Sequence, residues 1–272
     1  PWPSDEELWE LAGPAPRQSQ PLRKKSDAFI RAAREAIRAR LEPASIQVAT
    51  RKALVADWEF MAVGLNSVRL DAPLLTVVDV PSVAELSVQS QLVRRLRVNG
   101  TPVNLDAAPV DRQFDTSYRR VSVAALLRPG ENRIEADLTE PKPLRFLPAL
   151  ILWGSFAVDA QGRIVAPRRT IELGDWRAQG YPAFCGTGRH RAEIQLDWLP
   201  RYLVVDSGDY PVSVVWNGRR LGRRAWAPYR FALKDAARIG RNQVVIEITS
   251  TLGHLLTPQE APPIGLLGVW LE

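Results

Sequence analysis

Two stretches of this chain return later in the same order. LRVNGTPV (96–103) recurs as VVWNGRRL (214–221), which carries the Asn-Gly pair 118 positions on, from Asn99 to Asn217. LLRPGENRIEADL (126–138) recurs as AARIGRNQVVIEI (236–248), 110 positions on, from Gly130 to Gly240. ILWGSFAV (151–158) and GLLGVWLE (265–272) close the two series and read as equivalent last strands. Three landmarks repeated in order imply two similar units, each of a size on which a β-sandwich builds its own core.

The landmarks have a physical sense. Asn-Gly between alternating apolar residues marks a tight hairpin, because both turn positions take positive φ. Gly130-Glu131-Asn132 and Gly240-Arg241-Asn242 precede the next strands. There glycine permits a tight turn, and the Asn amide is suited to satisfying loose backbone groups. Segments 96–100, 133–138, 203–208, 212–218 and 243–250 have the β-branched or alternating character of short strands. Strands alternating with long helices, as in a βα barrel, are not read anywhere. The expected fold class is therefore all-β: two tandem β-sandwich or jelly-roll domains, at 56–166 and 167–272.

Residues 1–55 read differently, as a short α-helical N-terminal segment. PSDEELWEL opens with a Ser4 cap and has Glu7 placed to close a capping box. GPAPRQSQP (13–21) has linker composition. From Ser26 to Pro43, Phe29, Ala33, Ile37 and Leu41 form one apolar stripe, with Arg31, Arg34, Arg38 and Arg40 on other faces. Such a helix suits a membrane or an acidic partner, but the stripe is narrow and Ala-rich. A linker helix docked on a neighbouring domain is the preferred reading. The chain opens at Pro1 and its only methionine is Met61. A fragment, or a processed chain whose N-terminal part is missing, is the expectation.

The net charge is +6, from 31 arginines and 5 lysines against 30 acidic residues. These cations are scattered singly or in pairs, such as Arg94-Arg95 and Arg223-Arg224, and no nucleic-acid-binding signature accompanies them. Neither a nucleic-acid partner nor a membrane partner is expected. No run of about 18 apolar residues occurs.

YPAFCGTGRHRAEIQL (181–196) holds the only cysteine, Cys185, five positions from His190. Beyond the glycines, His190, Ala192, Ile194 and Leu196 fall on one face of a strand, and Arg189, Arg191, Glu193, Gln195 and Asp197 on the other. His190 thus begins a core-facing set. A thiol nucleophile would need a positioned base, an orienting group and an oxyanion hole. The strand reading is preferred, and no catalytic residue is assigned. Two histidines and one cysteine do not make a closed zinc site without carboxylates. Asp206 and Asp209 in VDSGDY admit calcium, but a polar turn is preferred, so no metal or cofactor is expected.

The series GDWRAQGYPAFCGTGRHR (174–191), WNGRRLG (216–222), WAPYRF (226–231), GRNQVVIEITSTLGH (240–254) and PPIGLLGVWL (262–271) resembles the C-terminal β-sandwiches of large glycoside hydrolases. The resemblance is above all to the α-L-rhamnosidase-like group. It is more distant to the sugar-binding, galactose-binding-like jelly rolls of β-galactosidase and β-glucuronidase relatives. DWEF with Asn66 and Leu70, VNG, PGENRI and LPALILWGSFAV supply the matching pieces of the first sandwich, so the resemblance covers 57–272. Where such proteins tend to read Tyr-Ser-Gly and then Tyr, this chain has Phe184-Cys185-Gly186 and then His190.

The resemblance implies a non-catalytic accessory region. In such enzymes the acid and base belong to a barrel N-terminal to the sandwiches, which becomes the expected partner within the same polypeptide. It also implies a periplasmic or extracellular setting. Carbohydrate is the second expected partner, since aromatic faces stack on the C–H surfaces of sugars. The candidate binding residues are Trp226 and Tyr229 in WAPYR, with Asn217, Arg223 or Arg224 near them, and Trp198 beside Pro200. The bland alternative is that these aromatics close the ends of the sandwich. A stand-alone carbohydrate-binding module and a structural or oligomerisation module are the competing readings of the whole.

Overall fold

The computed structural model describes residues 51–139, 147–257 and 261–272. The helices expected at the N-terminus lie outside the described residues. Residues 51–272 form one compact unit. It is almost entirely β-structure, and the one α-helix among the described residues, α1 (Gly253–Leu256), is a single turn. No helix among these residues is long and apolar enough to cross a membrane.

Eighteen strands are formed among the described residues. In chain order the first eleven are β1 (Lys52–Ala53), β2 (Glu59–Arg69), β3 (Leu74–Val77), β4 (Ala84–Gln89), β5 (Val93–Val98), β6 (Thr101–Val103), β7 (Tyr118–Ser122), β8 (Gly130–Leu138), β9 (Leu150–Gly154), β10 (Ala157–Val158) and β11 (Ile164–Val165). The rest are β12 (Cys185–Leu196), β13 (Tyr202–Asp206), β14 (Val212–Trp216), β15 (Arg219–Arg224), β16 (Arg230–Ala232), β17 (Gly240–Thr249) and β18 (Gly268–Leu271). The strands expected from alternation all form, as parts of β5, β8, β13, β14 and β17.

The pairing order repeats. β1-β18-β13-β16 is a four-stranded sheet, and β2-β9-β4-β7 follows the same plan. β12-β17-β14-β15 is matched in the same way by β3-β8-β5-β6. One core gathers Trp58, Trp176, Trp216, Phe231, Ile246 and their neighbours, and a second gathers Leu75, Leu86, Leu96, Ile134, Leu152 and Phe156. From Gly188 in β12 and from Asn242 in β17 every second residue is buried, so each strand contributes one face to the first of these cores.

β2 belongs to both sets. Its first seven residues, Glu59 to Leu65, pair with β12, and Asn66 to Arg69 pair with β9, which makes one continuous eight-stranded sheet. The strand changes partner next to a Gly64–Gly186 pair. A Cβ on Gly64 would lie 2.7 Å from the Cys185 carbonyl oxygen, and one on Gly186 would lie 2.5 Å from that of Val63. Only glycine allows the two backbones to cross so closely. Asn66, buried at the change of partner, donates to the carbonyls of Phe156 and Gly180 at 3.2 and 3.0 Å. Lys52–Ala53, inside the segment read as helical linker, is strand and pairs with Leu271 and Trp270.

Candidate functional site

The repeated landmarks form the same hydrogen-bonded knot twice. Asn99 and Gly100 take φ of 52° and 80°, and Asn217 and Gly218 take 49° and 79°, as a two-residue hairpin turn of this kind requires. Asn99 Nδ2 donates to the Leu126 carbonyl and to Asn132 Oδ1, both at 2.8 Å. Asn217 Nδ2 donates to the Ala236 carbonyl at 2.9 Å and to Asn242 Oδ1 at 2.8 Å. Asn242 in turn accepts from Arg238 N and donates to the carbonyls of Arg238 and Gly240, as Asn132 does with Arg128 and Gly130. Trp216 Nε1 also donates to Asn242, at 3.1 Å. The Asn217 amide, a candidate for sugar contact, is thus engaged in closing the turn.

The other candidates separate along β15. Asn217 lies two residues before its first residue and Trp226 two residues past its last, and six strand residues span roughly 17 Å. Tyr229 is buried in the larger core, where burial raises its hydroxyl pKa. Trp198 is half-buried and packs against the same core. Trp226 is 79% exposed. Its loop is tied down on both sides: Tyr229 O accepts from Val205 N at 2.9 Å, and Arg224 Nε donates to Arg230 O at 2.8 Å. Arg223 and Arg224 are exposed at the end of β15 beside this loop. Trp226 and Arg223 are thus both exposed, while Tyr229 and Trp198 pack in or against the core and Asn217 closes its turn.

Cys185 and His190 do not form a dyad. Cys185 is paired across the sheet with Leu65 and His190 with Phe60, and five positions along a strand put the two side chains on opposite faces. Cys185 Sγ donates to Ala183 O at 3.6 Å, and burial pushes its pKa up to about 11. His190 is buried against Trp58, Phe60 and Trp176. Its Nε2 accepts from Trp176 Nε1 at 3.3 Å, so the proton sits on Nδ1, which has no partner among the described residues. Burial alone pushes the pKa of His190 down to about 3, and the ring is neutral. Gly188 is what lets Trp176 lie over the strand, because a Cβ there would run into the indole.

His254, the second histidine, is buried on α1, and its Nε2 lies 2.6 Å from the Tyr210 hydroxyl. Burial lowers its pKa and raises that of Tyr210. Asp206 accepts from Gly208 N at 3.0 Å, which makes VDSGDY a polar turn. Among the described residues no three His, Cys, Asp or Glu side chains gather where they could hold a metal ion.

A cleft of about 490 Å³ that sequence reading missed is lined by Glu85, Pro109–Gln113 and Arg120. Arg120 bridges two carboxylates, at 2.7 Å from Glu85 and 3.5 Å from the buried Asp111. Asp111 also accepts from Gln113 N and Phe114 N at 3.0 Å and from the Ser87 hydroxyl, and Ser87 accepts from Trp153 Nε1 at 2.7 Å. Both Asp111 oxygens are thus occupied in holding the loop. The only signal in the sequence was Arg120 two residues past Tyr118, with carboxylates 35 and 9 positions before it.

No protein-family model matches the chain, and no curated relative matches it. Among solved structures it is similar to a rhamnosidase from Novosphingobium sp. PP1Y, at 13% identity and a TM-score of 0.32, over 89% of this chain and 26% of that one. It is similar to an α-L-rhamnosidase of Streptomyces avermitilis at 14% identity and a TM-score of 0.26, over 71% and 23% of the two chains. It is also similar to a β-galacturonidase of Eisenbergiella tayi at 23% identity and a TM-score of 0.30, over 43% and 22%. The chain thus spans about a quarter of the length of these glycoside hydrolases.

Proposed function

We propose that this chain is a non-catalytic accessory region of a carbohydrate-active enzyme of the α-L-rhamnosidase-like kind, and that it contacts carbohydrate through Trp226. The observation that carries the reading is an indole 79% exposed on a loop anchored at both ends. Covering an exposed indole with a ligand face removes its apolar area from water, which favours binding. A flat indole face suits the C–H face of a pyranose, with Arg223 at hand for its hydroxyls.

On this reading the chain comprises two tandem galactose-binding-like jelly rolls, at 56–166 and 167–272, and Lys52–Ala53 just ahead of them belongs to a strand paired with β18 rather than to a helical segment. The doubled pairing order and the doubled Asn knot support the division. The ordered motif series from 174 to 271 supports the enzymatic context, with a catalytic barrel elsewhere in the polypeptide as partner. The neutral, buried His190 and the protonated Cys185 are in keeping with chemistry carried out elsewhere. Incubating the purified chain with aryl rhamnosides and aryl galactosides tests this. Release of the aryl group at the buffer rate is expected, and turnover well above it would contradict the proposal.

A further inference from the structure

Between Arg219 and Arg241 the chain carries eight basic residues against one acidic residue, Asp235, although the whole protein nets only +6. Three of the eight are paired with carboxylates: Arg219 with Asp235, Arg230 with Glu272 and Arg241 with Glu193. Arg220, Arg223, Arg224, Lys234 and Arg238 make no ion pair among the described residues. The positive charge is therefore local and largely uncompensated.

Its geometry is ordered. β15 is the last strand of its sheet, and its register sets Arg220 beside Val215 and Arg223 beside Ser213. Val215 and Ser213 are the residues of β14 that alternate with the core-facing Val212, Val214 and Trp216, so Arg220 and Arg223 share the outer face. The nearest carboxylate along that row is Glu247, opposite Ser213. It is engaged by Arg189 at 2.7 Å and by the Ser213 hydroxyl at 3.0 Å, and Arg220 acts on it through space without forming an ion pair, so one carboxylate stands against two arginines there. Trp226 follows at the end of the same strand, and it is the one aromatic among the strongly exposed apolar side chains of the described residues.

We propose that the β15 edge binds an anionic glycan, with Trp226 stacking on one sugar ring and Arg223 and Arg220 engaging the carboxylates of neighbouring uronate units. The proposal rests on the carbohydrate reading above and names its ligand class. A guanidinium presents a planar donor fork that matches a carboxylate in bidentate fashion. A uronic-acid chain presents one carboxylate per residue, and the strand edge holds the two guanidinium-bearing positions about 7 Å apart on one face. A single-stranded nucleic acid would also meet the positive charge, but it is held by successive stacking platforms, and this edge offers one.

The test is calorimetric titration of the full chain with oligogalacturonate, with the same oligomer fully methyl-esterified, and with single-stranded DNA, each at low and raised salt. Expected is binding of the oligogalacturonate that weakens with salt, with the neutral ester bound at least tenfold more weakly. Arg220→Gln with Arg223→Gln is expected to lose about tenfold for the acid and little for the ester. Trp226→Ala is expected to lose both, with the thermal midpoint of each variant unchanged. Equal binding of ester and acid would overturn the anionic proposal and leave the carbohydrate reading standing. Preference for DNA, or binding of no glycan at all, would overturn both.

Discussion

Asn242 Oδ1 accepts from Asn217 Nδ2 at 2.8 Å, and Asn132 Oδ1 accepts from Asn99 Nδ2 at the same distance in the other half of the protein. In each pair an Asn at a hairpin turn is tied to an Asn at the third position of a later strand, β8 or β17, and the second Asn also holds its own turn closed. Asn132 and Asn242 are both buried. The repeat visible in the sequence is thus a repeat of one polar device.

Asn242→Ala is expected to strand the buried donor of Trp216, at about 1–3 kcal/mol for an unsatisfied group, and to leave the Asn217 amide with only the Ala236 carbonyl. Asn242→Asp keeps the acceptor but sets a carboxylate oxygen against the carbonyls of Arg238 and Gly240, so it is also destabilising. Asn132→Ala and Asn132→Asp behave alike. Urea midpoints of the four variants, compared with an exposed control such as Gln161→Ala, check this.

Gly188→Ala pushes a methyl group into the Trp176 indole. The indole is fully buried and stacks on His190, so it has no room to move. A loss of about 1–3 kcal/mol, typical of overpacking, is expected from denaturant unfolding.

His190 sets an acid limit on stability. Its folded pKa, about 3, lies below the unfolded value near 6.5, so the unfolded chain takes up the proton first. The neutral ring's contribution is fully present above pH 6.5 and is lost as pH falls from 6.5 towards 3, at up to about 1.4 kcal/mol per pH unit. His254 is shifted in the same direction. His190→Gln is expected to flatten the fall in the thermal midpoint between pH 6.5 and 4, relative to wild type at the same pH values.

The two aromatics of WAPYR part company. Tyr229→Ala empties a buried site and is expected to destabilise by about 3 kcal/mol or more. Trp226→Ala removes an exposed ring and is expected to leave the thermal midpoint within a degree or two. Scanning calorimetry of both variants separates them.

Much of the fold was legible because its signals are local. Alternation in AEIQL and VSVVW places one face in the core, and Asn-Gly fixes the turn between β14 and β15. His190 was legible as a core residue for the same reason. What was not legible depends on partners distant in sequence. β2 reads as one strand, and its change of partner from β12 to β9 needs a strand more than a hundred residues away. The carboxylates of the cleft, Glu85 and Asp111, are 26 positions apart and meet only through Arg120. Within the candidate site, Trp226 and Tyr229 lie three residues apart in a loop without periodicity, so nothing local tells which ring faces inward. Asn217 was nominated for its polarity, whereas the turn beside Asn242 consumes its amide.

The most direct measurement is glycan-array binding of the purified chain beside its Trp226→Ala variant, with the thermal midpoint of each recorded. The account predicts saturable binding of at least one glycan class by the wild type, lost in a variant of unchanged midpoint. Binding that survives the substitution, or a wild-type chain that binds no glycan, would contradict it.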